Sequence, residues 1–137
     1  MTRSACLVLV AIALSVLRPS PGLAEPVSLI GHWVHCDPSK GCLRFAFLPN
    51  GKVIEQYPLG SAVMTAYGTY ERGTDRLRIK WSKVSPGQIC LNGSTDPTQC
   101  LRTGQRNIKG SLAFTGFNAL TWSFAEGPPL QLLRVLE

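Results

Sequence analysis

Arg76-Leu77-Arg78-Ile79-Lys80-Trp81 alternates a cation with a large apolar side chain at every step. Successive side chains of an extended chain point to opposite faces, so Leu77, Ile79 and Trp81 share one face and Arg76, Arg78 and Lys80 the other. The stretch therefore reads as a half-buried β-strand, over 76–83, with a solvated cationic ridge outside. Such a ridge ordinarily serves solubility, and its other use is an anionic surface.

The same period of two runs outward in both directions, broken by turn residues every ~8 to 12 positions. Strands are expected over 29–35, 42–48, 52–57, 62–71, 107–115, 120–125 and 130–136. Leu43, Phe45 and Phe47 then face inward opposite Arg44, as do Met64, Ala66, Gly68 and Tyr70 in the fourth strand. Leu112 and Phe114, Leu120, Trp122 and Phe124, and Leu130 and Leu132 complete the inward set. Asn50-Gly51 is a strong hairpin signal, expected as a type I′ turn with positive φ at both residues. Gly73 marks the turn within 72–75, and Glu55 is expected to point outward. The run 84–105, with Pro86, Gly87, Asn92, Gly93, Asp96, Pro97 and Gly104, reads as a long irregular loop. No stretch carries a helical period. About eight strands with mostly short connections predict an all-β fold, a small antiparallel up-and-down barrel that leaves no sheet edge unpaired.

The first residues read as a leader for export. Arg3 supplies the positive charge, residues 5–17 the apolar run, and Gly22 and Ala24 the small residues of a cleavage site after Ala24. That run is shorter than the about 20 residues a spanning helix needs, so no integral membrane anchor is expected. Residues 1–24 are thus a cleaved signal peptide and 25–137 a single domain, periplasmic or secreted. Arg3 and Arg18 leave with the leader, so 12 of the 14 cationic residues face 8 acidic ones, a mild net of +4. The charges are scattered, which argues against a nucleic-acid partner.

Four cysteines remain in the exported part, Cys36, Cys42, Cys90 and Cys100, an even number that predicts two disulfides. Of three possible connectivities, Cys36 with Cys42 and Cys90 with Cys100 is favoured, because each pair brackets a short turn-rich segment. Loop entropy assigns such short links about 2 to 3 kcal/mol apiece. A four-cysteine zinc site would need closer Cys-x2-4-Cys pairs.

The residues that carry chemistry do not assemble. His32 and His35 fall on opposite faces of an extended strand, so with Cys36 and Asp37 they make no common metal site. Ser28, Ser39 and Ser61 have no base and orienting acid placed for them, and no carboxylate pair is set at a glycosidase separation. Neither a catalytic centre, a metal nor a cofactor is expected. Asn92-Gly93-Ser94 matches a glycosylation sequon but reads as a turn.

Gly31-His32-Trp33 near the mature start is similar to the Gly-x-Trp signature of lipocalins and of small bacterial lipocalin-like, calycin-type secreted domains. The run 43–51 resembles their Phe-rich strand into an Asn-Gly turn, Gly68-Thr69-Tyr70 their Gly-Thr-Tyr step, and 77–81 and Leu132-Leu133-Arg134 their later strands. The resemblance implies structural roles for Gly31, Trp33 and Arg134, with the arginine lying across the tryptophan at the barrel's closed end. Within the inward set, aromatic rings beside the small Ala66 and Gly68 leave either a core packed by its own side chains or an apolar pocket for a small ligand, for which Phe47, Met64, Tyr70, Trp81 and Trp122 are the candidate lining. The expected function is that of an exported, non-catalytic binding protein. One alternative is a periplasmic inhibitor of a protease or other secreted enzyme, acting through the loops or through 25–29. Another is a structural, envelope-associated protein.

Overall fold

The structure, a computed structural model, describes residues 27–104 and 106–137. The expected leader and its cleavage point lie outside the described residues. Ten strands form: β1 (Gly31–Asp37), β2 (Gly41–Phe47), β3 (Lys52–Leu59), β4 (Ala62–Arg72), β5 (Arg76–Ser85), β6 (Gln88–Cys90), β7 (Cys100–Arg102), β8 (Ile108–Phe114), β9 (Ala119–Ser123) and β10 (Leu130–Arg134). Eight of them close into a barrel in the order β1-β10-β9-β8-β5-β4-β3-β2, and every pairing in it is antiparallel. Closure comes at a short seam, Trp33 opposite Arg134 and Val34 opposite Leu133. No helix among the described residues is long and apolar enough to cross a membrane.

The alternation in sequence becomes an inside and an outside. Phe45, Phe47, Met64, Ala66, Leu77, Ile79, Leu112, Leu120, Trp122 and Leu132 are buried, while Arg44, Arg76, Arg78 and Lys80 are exposed. Trp33, Val53 and Leu29 join that interior. Aromatic rings interlock through it: Phe45 stacks on Phe47 at 5.8 Å and meets Trp122 edge-on at 6.0 Å, and Trp122 tilts against Phe124 at 4.9 Å. Two glycines let the ladders close around these rings. A Cβ on Gly68 would sit 2.3 Å from the Lys80 carbonyl oxygen, beside a bulge between Tyr67 and Gly68. One on Gly110 would sit 2.6 Å from Trp122 Nε1.

Three expectations need correction. The Asn50-Gly51 turn is not type I′, because only Gly51 has positive φ, at 77°. Pro49 locks its own φ negative, so Leu48 to Gly51 form a type I turn, with Gly51 N donating to Leu48 O, and Gly51 supplies the left-handed residue. Glu55 points inward and is 5 % exposed, because parity with Val53 holds through β3 against the polarity of its side chain. The stretch 84–105 is not wholly irregular: β6 and β7 pair as a separate two-stranded arm, with two short 3-10 turns at Leu91–Gly93 and Pro97–Gln99 between them.

The disulfides are Cys36–Cys42 and Cys90–Cys100, each joining residues directly opposite on neighbouring strands. They place the chain in an oxidising compartment.

Candidate functional site

In an up-and-down barrel the two ends are built from alternate turns. At one end lie the start of β1, the end of β2 and the end of β10. There the segment 27–30 crosses the barrel as a strap, with Leu29 inserted into the core at 2 % exposure. All four strap carbonyls accept side-chain hydrogen bonds. Arg72 Nη1 donates to Val27 O. Arg134 Nη2 donates to Ser28 O at 2.5 Å and Nη1 to Ile30 O at 2.8 Å. Trp33 Nε1 donates to Leu29 O at 2.8 Å. Arg134 also donates through Nε to Phe117 O at 3.0 Å.

The Arg134 guanidinium is held between two rings, 4.3 Å from the centre of Trp33 and 4.6 Å from that of Phe117. Burial pushes its pKa down, as it does for Arg72, whose guanidinium lies 4.8 Å over Phe114. Gly31 is where the space over this cation is kept: φ is 130°, and a Cβ would stand 3.0 Å from Arg134 Nη1. Gly31, Trp33 and Arg134 are thus one seal. Arg72 belongs to it too and was missed as a turn residue, although parity with Tyr70 along β4 carries the signal.

Of the candidate lining residues, Phe47 and Tyr70 sit towards this seal. Their rings meet edge-on at 5.1 Å, and Tyr70 OH donates to Leu48 O at 2.8 Å. Burial raises the Tyr70 pKa, partly offset by the Arg72 charge. Trp122 is fully buried mid-barrel against Phe45 and Phe124. Met64 and Trp81 lie towards the opposite end, Met64 fully buried opposite Tyr57 and Trp81 half-buried opposite Gly68. Phe47 and Trp122 belong to one core cluster with Tyr70 and Trp81 packed against it, while Met64, also fully buried, lies outside that cluster.

The far half differs in chemistry. Glu55 faces in beside Tyr57, whose pKa is raised by burial and then by the Glu55 carboxylate. Among the described residues the indole N–H groups of Trp81 and Trp122 are buried without an acceptor. An orphaned buried donor costs about 1 to 3 kcal/mol, so each calls for a physical reason. Trp122 Nε1 is pressed against Gly110, which explains it by packing. The Trp81 ring meets its glycine, Gly68, through Cε3 and not through Nε1, so that contact does not account for the orphaned donor. The β1–β2 turn at this end is tied covalently by Cys36–Cys42 and by hydrogen bonds to the Asp37 carboxylate, which accepts from Ser39 N at 2.7 Å, Ser39 Oγ at 2.6 Å and Lys40 N at 3.2 Å.

His32 is exposed, and His35 Nδ1 is engaged 2.9 Å from Gln131 O. Among the described residues no three of His, Cys, Asp and Glu converge as a metal would require. The arm carries Asp96 as an N-cap to Thr98 N, which lowers the Asp96 pKa, and Leu101 stands 70 % exposed on it. On the outer wall, Arg78 stands directly opposite Lys109, a like-charged pair that costs a sheet roughly 0.2 to 1 kcal/mol. No family model, no curated protein and no solved structure matches this chain.

Proposed function

We propose that the protein is an exported, non-catalytic binding protein, periplasmic or secreted, of the small lipocalin-like kind. It takes a small apolar molecule with a hydrogen-bond acceptor into the half of the barrel away from the strap. The observation that carries this reading is the buried Trp81 indole N–H, without an acceptor among the described residues, in the half of the interior that also holds Met64 and Glu55. Met64 and Trp122 supply apolar wall on this reading, while Phe47 and Tyr70 serve the seal. Apolar sites with a few placed polar groups are the usual form of small-ligand pockets.

Displacement of an environment-sensitive apolar fluorophore tests it. Trp81→Phe keeps the ring and removes the donor, so it should weaken a carboxylate- or carbonyl-bearing ligand about tenfold, as for loss of one buried hydrogen bond, and leave a pure hydrocarbon unaffected. Equal binding of both ligands by Trp81→Phe and the parent protein would reject the assignment.

A second reading has its own observation. The β6–β7 arm stands outside the barrel sheet with Leu101 exposed, as a protein-docking element would. Its tip is folded into 3-10 turns with Asn92 at φ 53° and offers no extended segment to a protease cleft. An inhibitor would act through the folded arm. Replacing 88–102 by a short glycine-serine linker should then abolish capture of the partner enzyme while fluorophore uptake persists; retained capture would exclude the arm.

A further inference from the structure

The outer wall of the barrel carries a second feature, which borders the seal at Arg72. Register places Glu71, Arg78 and Lys109 in one row across β4, β5 and β8, and Arg76, Ser111 and Ser123 in the next row across β5, β8 and β9. Arg76, Arg78, Lys109, Ser111 and Ser123 are exposed, and together they line a shallow groove of about 700 Å³ with Phe124 at its edge. Glu71 is the only carboxylate in the groove's lining, which also holds Arg72 of the seal, and among the described residues neither Glu71 nor any of Arg76, Arg78 and Lys109 makes an ion pair. The sheet thus keeps Arg78 and Lys109 directly opposite one another, and Glu71, on the other side of Arg78, is in no ion pair with either.

We propose that this groove binds an anionic glycan, a saccharide bearing sulfate or phosphate groups. Arginine forks match such oxyanions in a bidentate way, and Arg76 and Arg78 project from one face about 7 Å apart, two residues along a strand. Ser111 and Ser123 add neutral hydroxyl partners suited to sugar hydroxyls. The lining holds no broad exposed apolar strip for acyl chains, which sets a glycan ahead of a lipid surface.

The test uses a size-defined heparin oligosaccharide as the sulfated probe, titrated against the oxidised protein at about 0.15 M salt, where the screening length is about 8 Å, and across a salt series. The triple variant Arg76→Gln/Arg78→Gln/Lys109→Gln should lose more than about tenfold in affinity and flatten the salt dependence by roughly the contacts removed. A control with the same charge loss elsewhere, Lys40→Gln/Arg44→Gln/Lys52→Gln, should change less than about threefold, since screening isolates distant surface charges. Ser111→Ala/Ser123→Ala should weaken the probe by about threefold with charge unchanged. Removing one like-charged partner, as in Lys109→Gln alone, should leave the melting temperature equal or slightly raised, so a folding defect is not expected to obscure the result. Equal losses in the triple variant and its control would reduce the groove to net charge and overturn the proposal. Equal binding to vesicles of phosphatidylglycerol, lost in the same triple variant, would overturn the glycan in favour of a lipid headgroup.

Discussion

Where β1 begins, four consecutive carbonyls of the strap are gathered by Arg72, Trp33 and Arg134, and Leu29 fills the core beneath them. Where β1 ends, the turn is held by the Cys36–Cys42 link and by an Asp37 carboxylate bonded to its own loop, and the stapled arm leaves the barrel between the end of β5 and the start of β8. The first end is fastened by long-range side-chain bonds that exist only when the barrel is folded. The second is fastened by local links within the β1–β2 turn and within the arm. Stability should therefore be concentrated at the strap, and the freedom to admit a ligand at the other end.

The largest effect is expected at the seal. Trp33→Ala should cost about 3 to 5 kcal/mol in denaturant unfolding, from a fully buried indole and the loss of its bond to Leu29 O. A cost under 1 kcal/mol would mean that the strap is not part of the cooperative fold. Arg134→Lys should follow at about 2 to 3 kcal/mol, because an ammonium cannot reach three carbonyls from between two rings. Gly31→Ala sharpens the same point at about 1 to 3 kcal/mol, the left-handed backbone and the crowded Arg134 both resisting a methyl group.

At the other end the expected losses are smaller and local. Cys36→Ser/Cys42→Ser should cost about 2 kcal/mol, since the link closes a short loop within the barrel ladder. Cys90→Ser/Cys100→Ser should barely move the barrel's melting temperature but make the arm the first site of limited proteolysis, because β6 and β7 form their own sheet. A drop equal to that of the first pair would show that arm and barrel unfold together.

The smallest effect is a pH dependence. Hydrogen bonds from Ser39 hold the Asp37 pKa below its ordinary 3.8, so the ionised carboxylate is favoured in the folded chain. Its contribution is fully present above 3.8 and is lost as pH falls through the lowered folded value. Melting curves of Asp37→Ala and the parent protein should therefore differ at pH 6 and converge towards pH 2. A constant gap would assign the effect to loop geometry instead of charge.

Much of this contrast was legible in sequence, and its limits are physical. A period of two fixes facing wherever a strand is long, so the inward sides of Leu77, Ile79 and Trp81 and of Met64, Ala66 and Tyr70 follow directly. Glu55 misled because polarity argues outward while parity with Val53 argues inward, and in a closed barrel parity wins. The three-residue strands β6 and β7 are too short to show a period. Of the seal, Gly31, Trp33 and Arg134 were visible through a resemblance, but bonds to strap carbonyls depend on closure, which no local pattern encodes. The candidate lining was chosen by ring size and facing, and height along the barrel, which separates Tyr70 from Trp81, comes only from the register.

Native mass spectrometry of the mature, oxidised protein, purified from cells that export it, tests the central claim most directly. The account predicts a population carrying one small molecule, retained by the parent protein and reduced in Trp81→Phe. A wholly ligand-free spectrum, with no uptake when apolar carboxylates are added, would contradict it and leave a filled barrel that binds only through its outer surfaces.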